Sequence, residues 1–180
     1  MTPMNRWVLF LLTAAVATPL AWSAFRPAPT YVTSIDLLEQ FSNAIEQQPD
    51  AKTFAVENAR IGGATQRSIV ANRAGSIGWT ITVPKQAWLS VSGGILEEGW
   101  TMPGDGVVFR VVVDNDEIVN RVIDPYGKPD DRRWHDFLLD LSNYAGKTVK
   151  IFLRTNSGQP GHDDRNGDFA VWGTPRIVTS

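Results

Sequence analysis

The stretch from Arg133 to Ile177, RWHDFLLDLSNYAGKTVKIFLRTNSGQPGHDDRNGDFAVWGTPRI, constrains the fold most. Apolar residues recur in it at a period of two. Trp134, Phe137, Leu139 and Leu141 mark one strand. Val149, Ile151 and Leu153 alternate with Lys150, Phe152 and Arg154 in a second. Phe169 to Ile177 make a third. Ser142 to Lys147 supply a polar, glycine-containing turn, and a long polar loop precedes the third strand. Period-two alternation broken by such turns specifies antiparallel strands with one face buried.

The same pattern extends upstream. Ile77, Trp79, Ile81 and Val83 alternate with Gly78, Thr80 and Thr82, and Ala87, Leu89 and Val91 follow after Pro84-Lys85-Gln86. Val107 to Val113 is apolar apart from Arg110, as in a central strand. Asp114-Asn115-Asp116 reads as a hairpin turn, because Asn and Asp tolerate positive φ, and Ile118 to Ile123 returns. If successive strands run antiparallel, connections alternate between two ends of a sandwich. The short turns 84–86, 114–117 and 142–147 then share one end. The long loops 93–106, 123–132 and 155–168 share the other, which makes that end the expected site.

The wording of these strands resembles a known family. "LLDLSNYAGKTVKIFLRT" followed by "DFAVWGTPRI", with "SIGWTITVPKQAWLSVSGGI" and "GDGVVFRVVVDNDEIV" before them, is similar to galactose-binding-like jelly rolls. The nearest group is the NPCBM type of carbohydrate-binding module, attached to bacterial glycoside hydrolases and cell-envelope proteins. The resemblance covers Thr53 to Val178. It implies a non-catalytic, carbohydrate-binding β-sandwich of jelly-roll type, and it implies a structural Ca2+. It carries over no binding motif residue by residue, because one such fold hosts many functions.

The first residues read as an export signal. Arg6 precedes the apolar run Trp7 to Ala17, and Ala21-Trp22-Ser23 offers small residues for cleavage. The rival is an uncleaved membrane anchor, since Trp7 to Ala24 barely spans a bilayer. Residues 1–23 are therefore a signal peptide or anchor, 24–52 a linker and amphipathic helix, and 53–180 the binding domain. Both readings place the folded part outside the cytoplasm: periplasmic, extracellular or tethered to the membrane. The helix is expected from Thr33, a capping-box-like partner of Asp36, and from Leu37, Leu38, Phe41, Ala44 and Ile45 at helical spacing. Its apolar stripe docks on its own sandwich or on a protein partner. The second option makes the chain a structural or protein-protein interaction module.

Composition removes other classes. The chain has no cysteine, so disulfides, zinc–thiolate sites and thiol nucleophiles are excluded. Net charge is −2 with no basic stripe, which argues against nucleic acid. Two histidines, His135 and His162, exclude a multi-histidine metal centre. No nucleophile elbow occurs, and abundant acids make a glycosidase pair easy to invoke and hard to place, so no catalytic residue is assigned.

The long-loop end is acidic. Glu97, Glu98, Asp105, Asp124, Asp130, Asp131, Asp163, Asp164 and Asp168 stand against Lys128, Arg132 and Arg165, nine acids to three cations, a local −6. Asp164, Asn166 and Asp168 alternate as calcium ligands do, although Phe169 replaces the loop glycine of an EF-hand and no closing Glu follows. The other reading of these residues is a polar loop that caps its own turns. Sugars need flat apolar faces with polar groups beside them. Trp100, Tyr126 and Trp134, with Glu98, Asp130, Arg132, His162 and Arg165, form the candidate ligand set. Trp79 and Trp172 sit in strand stripes and are expected in the core.

Overall fold

The structure is a computed structural model that describes residues 29–158 and 164–180. It contains eleven strands: β1 Val32–Asp36, β2 Glu46–Gln48, β3 Phe54–Ile61, β4 Ala64–Ala71, β5 Gly75–Thr82, β6 Ala87–Ile95, β7 Val107–Val113, β8 Asp116–Ile123, β9 His135–Asp140, β10 Thr148–Ser157 and β11 Ala170–Thr179. They form two antiparallel sheets. One has the order β3-β4-β11-β6-β9, with β1 also paired to β11. The other has the order β2-β5-β10-β7-β8. The expected antiparallel sandwich is thus observed, and β7 spans the residues that the apolar run marked.

The alternating stripes meet between the sheets. Ile77, Trp79 and Ile81 of β5 and Ile151 and Leu153 of β10 face Leu89 and Val91 of β6 and Trp172 of β11. Trp79 and Trp172 are buried, as expected from their strand phase. The ring of Trp172 meets that of Phe109 edge to face, with centroids 4.9 Å apart. Such contacts add to the area that aromatic residues bury. The β3–β4 hairpin closes through Gly62 and Gly63, both at positive φ (58° and 84°), which a two-residue primed turn demands.

The N-terminal helix expected over Thr33–Gln48 is not formed. The chain there makes β1, a single 3-10 turn at Phe41–Asn43, and β2. Local and distant bonds both oppose the helix. The carboxylate of Asp36 accepts the Leu38 N–H at 2.8 Å, a side-chain turn that competes with helical pairing. The Leu37 N–H goes to the Pro175 carbonyl and the Ile45 N–H to that of Gly78, so each sheet claims this segment. Leu37 and Leu38 lie in the core rather than on a docking stripe. The sandwich therefore begins at β1, and the helix proposed for a protein partner is absent. The signal peptide or anchor, residues 1–23, lies outside the described residues.

Candidate functional site

The connections sort to two ends as antiparallel order requires. At one, the Gly146 N–H reaches the Val83 carbonyl at 2.8 Å, and Tyr144 Oη donates to Asp116 Oδ2 at 2.8 Å. At the other, the Leu96 N–H reaches the Phe169 carbonyl, and Arg132 Nη2 approaches the Trp100 carbonyl at 3.4 Å. The long loops do come together.

Their side chains are less available than expected. Trp134 is 8% exposed and donates its indole N–H to the Ala64 carbonyl at 3.0 Å. It packs with Ala59, Ile61 and Val171, so it is a core residue and not a sugar platform. The indole of Trp100 donates to the Ile95 carbonyl at 2.9 Å, and its partly buried ring packs on the core with the Arg132 guanidinium 6.0 Å from its centroid. Arg132 is held by the Pro125 carbonyl at 2.9 Å. Tyr126, 48% exposed, is the candidate ring that stands at the surface here, with Glu98, Asp130 and Arg165. Beside Tyr126 lies a crevice of about 10 Å³. His162 lies outside the described residues. Asp164 accepts the Asn166 N–H at 3.0 Å, and the Asn166 amide donates to the Pro103 carbonyl, so both are engaged in shaping the loop. Among the described residues no group of three or more histidine or carboxylate side chains is placed to hold a metal ion.

A second acid site is internal. Asp131 accepts the Asp124 N–H at 3.0 Å, and its other oxygen lies 3.4 Å from His135 Nε2. Burial pushes the His135 imidazole below its ordinary range, with Asp131 opposing and Arg121 and Arg133 adding to the shift. The two side chains lie side by side where the β8–β9 loop meets the start of β9, with no hydrogen bond to His135 Nε2 among the described residues.

A larger cavity lies on the outer face of the β3-β4-β11-β6-β9 sheet. It is a groove of about 700 Å³. A split in the sheet makes it. Ala170–Gly173 of β11 pair with β4, whereas Arg176–Thr179 pair with β1. Between them the register shifts, and Thr174 is held at φ 39°. Positive φ is costly for a β-branched residue, and such strain collects at functional positions.

A polar ladder crosses the groove floor. Thr174 Oγ1 donates to Gln66 Oε1 at 3.0 Å, Gln66 Nε2 reaches Ser92 Oγ at 3.5 Å, and Ser92 Oγ donates to Asp136 Oδ1 at 2.6 Å. These residues belong to β11, β4, β6 and β9 in turn. Gln66 crosses β11 because Gly173 lies beneath it: a Cβ there would strike Gln66 Oε1 and the Trp134 ring. Apolar residues border the ladder. Tyr31 is 37% exposed with its ring edge-on to Trp88, and Leu138 is 49% exposed. Sequence reasoning missed this groove. Its signal was Gly173-Thr174-Pro175 inside an apolar strand, a pattern that marks a bulge or a close approach.

No protein-family model matches the chain. An uncharacterized protein of Archaeoglobus fulgidus is 41% identical over 102 residues, 54% of this chain and 25% of that one. The chain thus spans about a quarter of the length of this relative. Among solved structures, the M60 catalytic domain with CBM51-1 and CBM51-2 of Clostridium perfringens ZmpB matches 76% of this chain and 14% of its own at a TM-score of 0.57 and 14% identity. CBM51-2 of ZmpB with its INT domains, solved with GlcNAc, matches 76% and 30% at 0.52 and 14% identity. The CBM51 of Clostridium perfringens GH95, solved with methyl-galactose, matches 83% and 100% at 0.51 and 14% identity. In fold, the chain is an antiparallel β-sandwich similar to the CBM51 carbohydrate-binding modules.

Proposed function

We propose that the chain is a non-catalytic carbohydrate-binding module of the cell envelope or secreted space, and that it receives glycan in the groove on the outer sheet face. The groove carries this reading. It sets a hydrogen-bonded row of Thr174, Gln66, Ser92 and Asp136 beside the apolar surfaces of Tyr31 and Leu138. A sugar presents the same combination, hydroxyls at its edge and C–H faces above and below. Ligand sites pair apolar lining with a few placed polar groups in this way. The row is already assembled, so little ordering opposes binding. Two known proteins of this fold have been solved with GlcNAc and with methyl-galactose, which supports the ligand class.

The test is a glycan array on the full chain, followed by titration of Asp136→Ala, Tyr31→Ala and Tyr126→Ala. The groove reading predicts about a tenfold loss for each of the first two, on the order of 1.4 kcal/mol. Unchanged affinity in both overturns it. A loss confined to Tyr126→Ala moves the site to the long-loop end, where Glu98, Asp130 and Arg165 remain exposed. Calcium at Asp164, Asn166 and Asp168 is a separate proposal that rests on their spacing. A rise in melting temperature on adding calcium, absent in Asp168→Asn, supports it. No change on adding calcium removes it.

A further inference from the structure

We infer that the glycan held in this groove is anionic, a carbohydrate that bears a carboxylate on its ring. The inference rests on the groove reading and narrows it. Two arginines line the groove, Arg67 of β4 and Arg176 of β11. They stand on either side of the split. Ser68 makes the last β4 pairing with β11, opposite Gly173, and Arg67 lies just beyond it. Arg176 is where β11 resumes, now paired with β1. Both are exposed.

Among the described residues, neither forms an ion pair. Arg73, Arg110 and Arg121 each approach a carboxylate, whereas among the described residues none lies within ion-pair distance of Arg67 or Arg176. The nearest acids by register are engaged. Asp36, opposite Arg176, accepts the Leu38 N–H, and Asp136 accepts the Ser92 hydroxyl. Asp136 is the one carboxylate lining the groove, so two arginines share it with one acid that already accepts the Ser92 hydroxyl, on a chain of net charge −2. A guanidinium fork matches a carboxylate with two parallel hydrogen bonds. Walls around a groove strengthen such a pair over the same pair on an open surface. The remaining lining fits the rest of a sugar. Gln66 Nε2 carries two N–H donors and gives one to Ser92 Oγ at 3.5 Å, so the second is available to a hydroxyl.

The experiment measures affinity of the full-length chain for polygalacturonate, alginate and polysialic acid, each beside its carboxyl-reduced polymer, with dextran sulfate as charge without carboxylate. At least one acidic polymer is expected to bind tenfold or more tightly than its reduced form. Arg67→Gln and Arg176→Gln each bring that ratio toward one. Lys85→Gln, an equal charge change on the exposed turn after β5, leaves it intact. A ratio of one for all three pairs overturns the inference, as does a ratio that survives both arginine changes. Dextran sulfate bound as tightly, with the same arginine dependence, also overturns it in favour of general polyanion binding. Binding of the reduced polymers that is lost in Asp136→Ala, at a ratio of one, sinks the anionic preference and leaves the groove reading standing. Binding indifferent to Asp136→Ala and Arg176→Gln alike sinks both.

Discussion

At the scale of single residues, the two core tryptophans differ in one respect that a melt detects. Trp79 Nε1 donates to the Gln40 carbonyl at 2.9 Å, whereas the indole nitrogen of Trp172 has no hydrogen-bond partner among the described residues. Either Trp→Ala change opens a cavity and is expected to cost about 3–5 kcal/mol. Trp→Phe separates them. Trp79→Phe forfeits that bond and costs about 0.5–1.5 kcal/mol more on that account, since the Gln40 carbonyl keeps the Asn43 N–H. Trp172→Phe forfeits no bond, so its cost is the smaller, and equal costs in chemical denaturation remove the distinction. His135 gives a second test. Its folded-state pKa is depressed, so the folded chain binds fewer protons than the unfolded chain below the ordinary histidine value of 6.5. Stability from the neutral imidazole is full above that value and is lost as pH falls through the window beneath it. Melting temperature is expected to fall between pH 7 and 5 with a shallower slope in His135→Asn. Parallel slopes show that the imidazole carries none of the pH dependence.

At the scale of elements, what the sequence disclosed and what it withheld have one explanation. β5, β6, β7 and β10 each bury one stripe or both faces, so period and apolar runs located them. β1 and β2 are short, and each owes its conformation to a partner far along the chain, Pro175 or Gly78. Leu37, Leu38 and Phe41 have helical spacing by accident of a turn that inserts both leucines into the core, and tertiary pairing overrode the pattern. Two of the three candidate rings are less available for a related reason. Trp100 stands in a long loop and Trp134 beside one, at a strand start, but both hand their indole N–H groups to nearby carbonyls and pack inward. The split in β11 was legible only as an oddity of composition. It yields a prediction on Gly173→Ala. The added methyl displaces Gln66 and presses on Trp134, so the ladder from Thr174 to Asp136 breaks. Glycan affinity should drop about tenfold or more, together with a lower melt. Thr174→Gly acts oppositely on stability. Relief of positive φ, about 1–2 kcal/mol, offsets the lost hydroxyl bond, about 1 kcal/mol, while the ladder loses its first member. A melt held or raised with weakened binding is the expected result. Unweakened binding in both variants removes the ladder from the site.

At the scale of the whole molecule, β11 sets the direction in which everything faces. Ala170 starts it at the long-loop end, and Thr179 finishes it beside Val32 of β1 and Ala87 of β6, at the short-turn end. The chain therefore enters the sandwich at the short-turn end, and a tether through residues 1–23 would leave the long loops pointing away and the groove open to the side. β1 begins at Val32, and the pairings among the described strands involve no residue before it. A chain starting at residue 29 is expected to melt as the full chain does. A chain starting at residue 37 loses the four β1–β11 pairs and uncovers Ile177 and Val178, so its melt falls by several degrees, at roughly 2–4 °C per kcal/mol for a domain of this size. Export provides the complementary readout. The Arg6 charge and the Trp7–Ala17 run predict that the full chain leaves the cytoplasm. The chain starting at residue 29 should stay inside, folded and able to bind. N-terminal sequencing near Ala24 marks cleavage, and an intact Met1 in the membrane fraction marks an anchor. Full chain recovered only from the soluble cytoplasmic fraction defeats both readings. It would also leave the groove without an envelope glycan to meet.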